Sequence, residues 1–246
     1  MKDSQVSLSI ITVVFNGKNS IEKTINNIAN QNYENFEYII IDGGSNDGTQ
    51  EIILKYNDIV SHFLTEKDKG IYDAMNKGIK LSRGEWIIFI NGGDQINSVV
   101  FQDCIKELNK STADIIYGDV LIEKNGTLNN EKAMPLEIIN YCQSFCHQSS
   151  FVRRKLFTDN LFNLKYKICA DYHWFLNAYI HKAKFQYIKY PISIFESGGI
   201  SFKFSFRYFL ENLFIVFNSH ISLMSKIWFS FKVFLRLKNY LFSVIK

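Results

Sequence analysis

Only two of the 246 residues are proline and four are cysteine. With so little proline, no low-complexity tract and no internal repeat, nothing in the chain marks a linker. The cysteines (Cys104, Cys142, Cys146 and Cys169) form no CxxC pair and no disulfide-like spacing, so they read as reduced thiols of a cytoplasmic protein. A zinc site on Cys142, Cys146 and His147 lacks an evident fourth ligand. The opening residues, Met1 to Gln5, are too short and too polar for a secretory signal. Also missing are the dinucleotide fingerprint GxGxxG and the phosphate loop GxxxxGK[ST], which excludes the two commonest nucleotide folds.

What is present is apolar and aromatic: 47% hydrophobic residues, with 22 Phe and 13 Tyr, enough for one large domain or one domain plus an appendage. The net charge of +4 is unevenly spread. Phe202 to Lys246 holds seven Lys/Arg and one acid, Glu211, so the tail carries +6 and residues 1–201 carry −2. The first half alternates β-branched runs with helical periods. Val6–Phe15, Tyr38–Ile41, Ile59–Leu64 and Trp86–Ile90 predict buried strands. Between them, Ile21/Ile25/Ile28, then Ile52/Ile53/Tyr56, then Ile71/Met75/Ile79 predict helices. Strand and helix in alternation imply an α/β fold with a mainly parallel central sheet and flanking helices. Beyond Asp94 the pattern loosens to strands at Asp114–Ile122, Gln148–Arg153 and Phe185–Phe195, and a helix at Ala170–Lys182. Pro191 places the last strand at an edge or a break.

In such sheets ligands gather beyond the carboxyl ends of the strands. Three polar loops fall there: Phe15–Gly17, Asp42–Thr49 and Asn91–Asp94. Their glycines can simply form turns, but Asp42 and Asp94 end successive apolar runs where an acid gains nothing by packing. Without a glycine cradle, a nucleotide diphosphate needs its charge met otherwise. A divalent metal on a carboxylate does this, and Asp94 is the candidate.

SIITVVFNG (Ser9–Gly17), IIIDGGSNDGT (Ile39–Thr49), EKDKGIYDAMNKGI (Glu66–Ile79) and GEWIIFINGGD (Gly84–Asp94), in that order, resemble the family 2 glycosyltransferases of the GT-A fold. The bacterial branch that builds O-antigen, capsule and exopolysaccharide is the most similar. Weaker echoes in HQSSFVRRKLF (His147–Phe157), ADYHWFL (Ala170–Leu176) and FESGGIS (Phe195–Ser201) carry the resemblance to about residue 201. It implies an inverting transfer of a hexose or N-acetylhexosamine from a nucleotide diphosphate sugar, a UDP-sugar foremost, to a sugar on a polyprenyl-diphosphate lipid. It also implies roles: Val13 and Phe15 lining the base, Asp42 on base or ribose, Lys69 and Asn91 by the diphosphate, and Asp94 on Mg²⁺ or Mn²⁺. Family members often carry two or three acids where this chain reads Asn91-Gly92-Gly93-Asp94, which implies a thinly held metal. Asp171 aligns with the general base, although its position also suits a helix cap. His147, Asp73 and Asn76 would face substrate; a structural histidine and solvated helix positions are the plainer alternatives.

The resemblance divides the chain into a catalytic domain, residues 1–201, and a tail of amphipathic helices, residues 202–246. Thirteen aromatics punctuated by cations, with no run longer than Asn212–Ser225 between charges, suit helices lying in a membrane interface. The enzyme would then sit in the cytoplasm on the inner face of the cytoplasmic membrane. The alternative is a helical hairpin packed on the domain, or on a second copy in a homo-oligomer. Nucleic acid is not an expected partner, because the basic residues are confined to the tail and mixed with aliphatic surface. A catalytically inactive sugar- or nucleotide-binding module of the same fold is the rival function, motivated by the depleted acids at Asn91–Asp94.

Overall fold

The apolar runs of the first half are long because each strand is covered on both faces. Ile11 and Val13 of β1 (Leu8–Val14) join one core, while Leu8, Ile10 and Val14 join another. Every residue of β1 is buried, so no polar alternation survives in its sequence. Removing each such Ile from water contributes about 1.5–3 kcal/mol, which fixes the register of the strands that carry them. A computed structural model describes residues 7–196, 206–227 and 229.

After β1 come α1 (Ile21–Ala29), β2 (Phe36–Asp42), α2 (Thr49–Ile53), β3 (His62–Thr65), α3 (Ile71–Leu81) and β4 (Trp86–Phe89). These strands pair in parallel, β1 lying between β2 and β4 with β3 outside β2. All four carboxyl ends therefore open on one side. Helix α3 lies close on this sheet: a Cβ on Gly78 would meet Ile11 Cγ2 at 2.5 Å. A bare backbone there lets the helix settle onto β1, with its N-terminal end beside the strand ends.

The second half adds β5 (Gln95–Ile96), α4 (Phe101–Lys110), β6 (Ile115–Lys124), β7 (Thr127–Glu131), β8 (Ser150–Arg153), α5 (Ala170–Ile180) and β9 (Phe185–Glu196). Strand order among the described residues is β3-β2-β1-β4-β8-β6-β9-β5, with β7 paired to β6. The sheet is uniformly parallel from β3 to β4 and mixed beyond. Strand β8 enters antiparallel to β4 and β6, while β6 and β9 run parallel. Pro191 sits at a break in register against Asp119, between β6 on one side and β5 on the other. Neither α4 nor β7 is predicted by the sequence pattern.

Helix α6 (Phe206–Asn218) lies against this domain, with Ile215 and Val216 in the core that also holds α3 and α5. Glu211 of α6 is buried and accepts the backbone N–H groups of Lys167 (2.9 Å), Ile168 (2.8 Å) and Cys169 (3.1 Å), just before α5. These donors hold its carboxyl below the usual range against the upward push of burial. The outer face of α6 exposes Phe206, Phe214 and Phe217. Among the described residues no helix is long and apolar enough to cross a membrane. The expectations for Trp228, Phe231, Phe234, Tyr240, Phe242 and the cations among them fall outside the described residues, as do Ser197–Ser201.

Candidate active site

A cleft of about 700 Å³ opens where the parallel strands end. The end of β1 supplies Val13, Phe15 and Asn16, and the loop after β4 supplies Asn91 to Asp94. Asp68 and Tyr72 come from the start of α3, His147 and Gln148 from a 3₁₀ turn before β8, Lys167 from the approach to α5, and Glu196 from the end of β9. Five of the residues picked from sequence thus meet in one place: Val13, Phe15, Asn91, Asp94 and His147.

The other five do not line it. Asp42 is fully buried, and its carboxylate accepts the N–H groups of Gly44 (3.2 Å) and Ser45 (3.0 Å), the Ser45 hydroxyl, and the Thr65 hydroxyl (2.6 Å). Ser45 Oγ in turn accepts the Asn16 N–H at 2.7 Å. Asp42 therefore shapes the lip of the cleft at one remove. It anchors a loop that pins Asn16 in the left-handed conformation, φ 51°, beside the exposed Phe15 ring. Asp73 accepts the Lys69 N–H at 2.9 Å, an acid closing the first turn of α3. Asn76 is spent on one backbone: its Nδ2 donates to the Phe162 carbonyl and its Oδ1 accepts the Phe162 N–H, both at 2.9 Å. Lys69 offers its carbonyl, which accepts from Lys167 Nζ at 2.9 Å, so the cation reaching the cleft is Lys167.

Two buried carboxylates define the chemistry, and consecutive residues hold them. Gln148 Nε2 donates to Asp94 Oδ2 at 2.9 Å, and the Glu196 N–H donates to Oδ1 at 3.2 Å. Burial pushes the Asp94 carboxyl up to about 6, against the downward pull of these two donors and of His147 nearby. In the same loop the Asn91 Oδ1 is buried with no hydrogen-bond partner. The thiol of Cys146 donates to Gln148 Oε1 at 2.8 Å, which orients the amide, and burial pushes that thiol up to about 12. Asp171, in the first turn of α5, is differently served. Oδ1 is met by the Tyr172 N–H and by the Tyr72 hydroxyl, both at 2.8 Å, although the single proton of that hydroxyl is shared with the Ile168 carbonyl at 2.7 Å; Oδ2 receives Gln143 Nε2 and lies against His147 Nδ1, both at 3.1 Å. Burial would raise this carboxyl, but His147 and the other donors hold it below its ordinary value.

Sequence reasoning missed Asp68, Gln148, Lys167 and Glu196. Asp68, Gln148 and Glu196 each lie within a quoted motif, whereas Lys167 carries no local signal. A raised carboxyl on the wall of a cleft fed by strand ends, linked through Gln148 and His147 to a lowered one behind that wall, is an arrangement suited to charge neutralisation at one point and proton handling at another.

The same shape recurs in solved structures. The S. aureus TarS 1–349 structure in complex with UDP-GlcNAc superposes with a TM-score of 0.72 at 18% identity, covering 89% of this chain and 69% of that one. The Pyrobaculum calidifontis mannosyltransferase in complex with GDP-Man and Mn²⁺ gives 0.63 at 13% identity, covering 95% and 81%. Among curated proteins, a PGL/p-HBAD biosynthesis glycosyltransferase of Mycobacterium bovis is 28% identical over 216 residues, 83% of each chain. The GalNAc(5)-diNAcBac-PP-undecaprenol beta-1,3-glucosyltransferase of Campylobacter jejuni is 31% identical over 128 residues, 50% of this chain and 41% of its own. The model of the glycosyl transferase family 2 domain matches residues 9–202, which spans the sheet and the cleft, and the chain belongs to that family of transferases.

Proposed function

We propose that this glycosyltransferase moves a hexose or N-acetylhexosamine from a UDP-sugar to a sugar on a polyprenyl-diphosphate lipid, with inversion, in surface polysaccharide synthesis. The observation that carries the reading is the pair of buried carboxylates joined through His147 and Gln148, because a single displacement has two separate demands. One is positive charge where the diphosphate departs; the other is a proton acceptor for the attacking hydroxyl. The bound UDP-sugar of the TarS complex and the undecaprenol-linked acceptor in the name of the Campylobacter relative support the donor and acceptor classes.

For the first demand, Asp94 and Asn91 fit a divalent cation, Mg²⁺ or Mn²⁺. An unpartnered acceptor and a carboxyl held up by burial are what a cation would satisfy. No group of three acidic, histidine or cysteine ligands stands ready among the described residues, so diphosphate and water would complete the coordination. When bound, the ion supplies positive charge against the charge building on the leaving diphosphate. Lys167 adds a cationic side chain to the cleft lining, its Nζ held on the Lys69 carbonyl. Val13 and Phe15 offer backbone and an aromatic face for the base, with the Asp68 carboxylate beside them. The second demand falls to the Asp171 centre.

The exposed Phe206, Phe214 and Phe217 on α6 support a peripheral seat on the inner face of the cytoplasmic membrane, where a lipid-linked acceptor would be met. The test is a panel of UDP-, GDP- and dTDP-sugars presented to the full chain with polyprenyl-diphosphate saccharides, with and without Mn²⁺. UDP-sugar turnover giving a product of inverted anomeric configuration is expected. Neither turnover nor a thermal shift with any nucleotide sugar would overturn the proposal.

A further inference from the structure

The loop after β4 brings one carboxylate to the cleft, Asp94, and the last residue of β9 brings another, Glu196. The two lie 102 positions apart, yet the sheet sets them side by side. Strand β5 follows Asp94 directly and pairs antiparallel with β9, Gln95 opposite Ile194, and the Glu196 N–H donates to Asp94 Oδ1 at 3.2 Å. The Glu196 side chain turns back over the same loop: a Cβ on Gly93 would stand 3.5 Å from its Oε2. Gly93 holds φ 107°, a backbone that L side chains rarely adopt, so this approach stays open. Little in the protein answers the two charges. Neither carboxylate forms an ion pair with a lysine or arginine among the described residues. The Glu196 side chain is exposed and has no hydrogen bond among them. Burial is the larger cause that pushes the Asp94 carboxyl up, and the charge of Glu196 adds to it. Two like charges on the wall of a cleft that is to hold a diphosphate would repel it, unless a cation lies between.

We infer that Glu196 is the second carboxylate of the divalent-cation site, standing in for an acid that Asn91-Gly92-Gly93-Asp94 lacks. The inference rests on the transferase reading above and on its cation at Asp94. Mg²⁺ and Mn²⁺ take about six oxygen ligands, and one carboxylate leaves nearly all of them to diphosphate and water. A carboxylate offers about four lone-pair sites. On Asp94, Gln148 Nε2 uses one at Oδ2 and the Glu196 N–H uses one at Oδ1, so both oxygens keep capacity for a cation. Glu196 has its whole carboxylate to give. Its backbone is tied to Asp94, which fixes the two ligands relative to each other, while three rotatable side-chain bonds let the carboxylate meet the ion without moving the strand. A second acid supplied from β9 doubles the negative charge that the protein itself sets against the ion. It also makes that ion the condition for admitting the diphosphate.

The test uses Mn²⁺ itself as the probe, followed through the loss of its free-ion EPR signal as the full chain and UDP are added, with no turnover involved. Glu196→Gln keeps the backbone N–H on Asp94 and the size of the side chain. It should bind Mn²⁺ in the presence of UDP at least about 10-fold more weakly than wild type, the loss that even an outer-sphere partner of a metal causes. Glu196→Asp should recover part of that affinity. Without metal, UDP should bind Glu196→Gln no more weakly than wild type, because a repelling charge has gone. A merely structural role would not give opposite outcomes with and without Mn²⁺. Wild-type Mn²⁺ uptake by Glu196→Gln overturns the inference, and so does an equal loss of UDP affinity with and without the ion. Where the glutamine variant does not fold, wild-type protein ¹³C-labelled at its glutamate carboxyls decides. Bound Mn²⁺ should show hyperfine coupling to such a carboxyl, Glu196 being the one glutamate of the cleft wall among the described residues, and its absence overturns the inference. Mn²⁺ uptake lost in Asp94→Asn but kept in Glu196→Gln overturns this inference alone. No uptake by the wild-type chain with UDP overturns the cation reading of Asp94 as well, while turnover of a nucleotide sugar would leave the transferase reading standing in either case.

Discussion

Asp94 and Asp171 are nearly equally buried, at 6% and 5% exposure, yet their acidities move in opposite directions. Depth is not the difference; the number of donors is. Asp94 ends a run of buried strand and is met by one side-chain amide and one backbone N–H. Asp171 opens a helix and is met by Gln143, His147, the Tyr172 N–H and a Tyr72 hydroxyl that it shares with the Ile168 carbonyl. The under-served carboxylate suits a ligand that brings charge, and the better-served one is held in its ionised form. Their surroundings differ in the same way. The Asp94 loop is set by parallel strands, whereas the Asp171 end is held by side chains clamping distant backbone, Asn76 on Phe162 and Glu211 on residues 167–169.

The sharpest way to break this contrast is to neutralise each carboxylate without changing its shape. Asp94→Asn should lower transfer by about 10²–10³-fold and abolish any gain in UDP thermal shift from Mn²⁺. Asp171→Asn should cost transfer about 10²-fold and keep the Mn²⁺-dependent UDP shift. Equal loss of nucleotide binding in both would erase the distinction. A smaller effect tests the clamps. Asn76→Ala leaves the buried Phe162 N–H and carbonyl without partners and should destabilise by about 1–3 kcal/mol, read in urea, with donor KM unchanged. A raised KM at normal stability would return Asn76 to the substrate. The smallest effect is acid dependence. Glu211 has a folded acidity below its ordinary value, so its contribution is full above about 4.5 and is lost as pH falls through the folded value. Glu211→Gln should therefore lower Tm at pH 7 by about 2–4 °C per kcal/mol lost and converge on wild type in acid. A constant gap between the two melting curves across pH would show that the charge is irrelevant.

The same contrast explains what could be read beforehand. The parallel half was legible because its strands are contiguous apolar runs and its motifs sit within one loop each. That led directly to Val13, Phe15, Asn91 and Asp94. Asp42, Asp73 and Asn76 sit in equally polar motifs but are consumed by backbone and hydroxyl groups of the chain, and a polar residue looks the same in sequence whether its partner is a ligand or the chain itself. The Asp171 end was legible only as single residues. Gln148 reaches Asp94 across 54 positions and Tyr72 reaches Asp171 across 99, and no local period encodes such pairings. Strand β7 is exposed at every residue, so it has no apolar alternation to betray it. Helix α4 buries Phe101, Cys104, Ile105 and Leu108 at helical spacing, but polar residues outnumber them in that stretch.

Glu211 bears on how the tail can be studied. A chain ended at residue 201 would not be a catalytic core relieved of its anchor. It would uncover Ile215 and Val216 and strand three backbone donors at the doorstep of the helix that carries Asp171. Loss of vesicle binding and loss of activity in such a truncation would be one event measured twice. Separating them calls for serine at Phe206, Phe214 and Phe217, which changes the face turned to the outside and leaves the inward one in place.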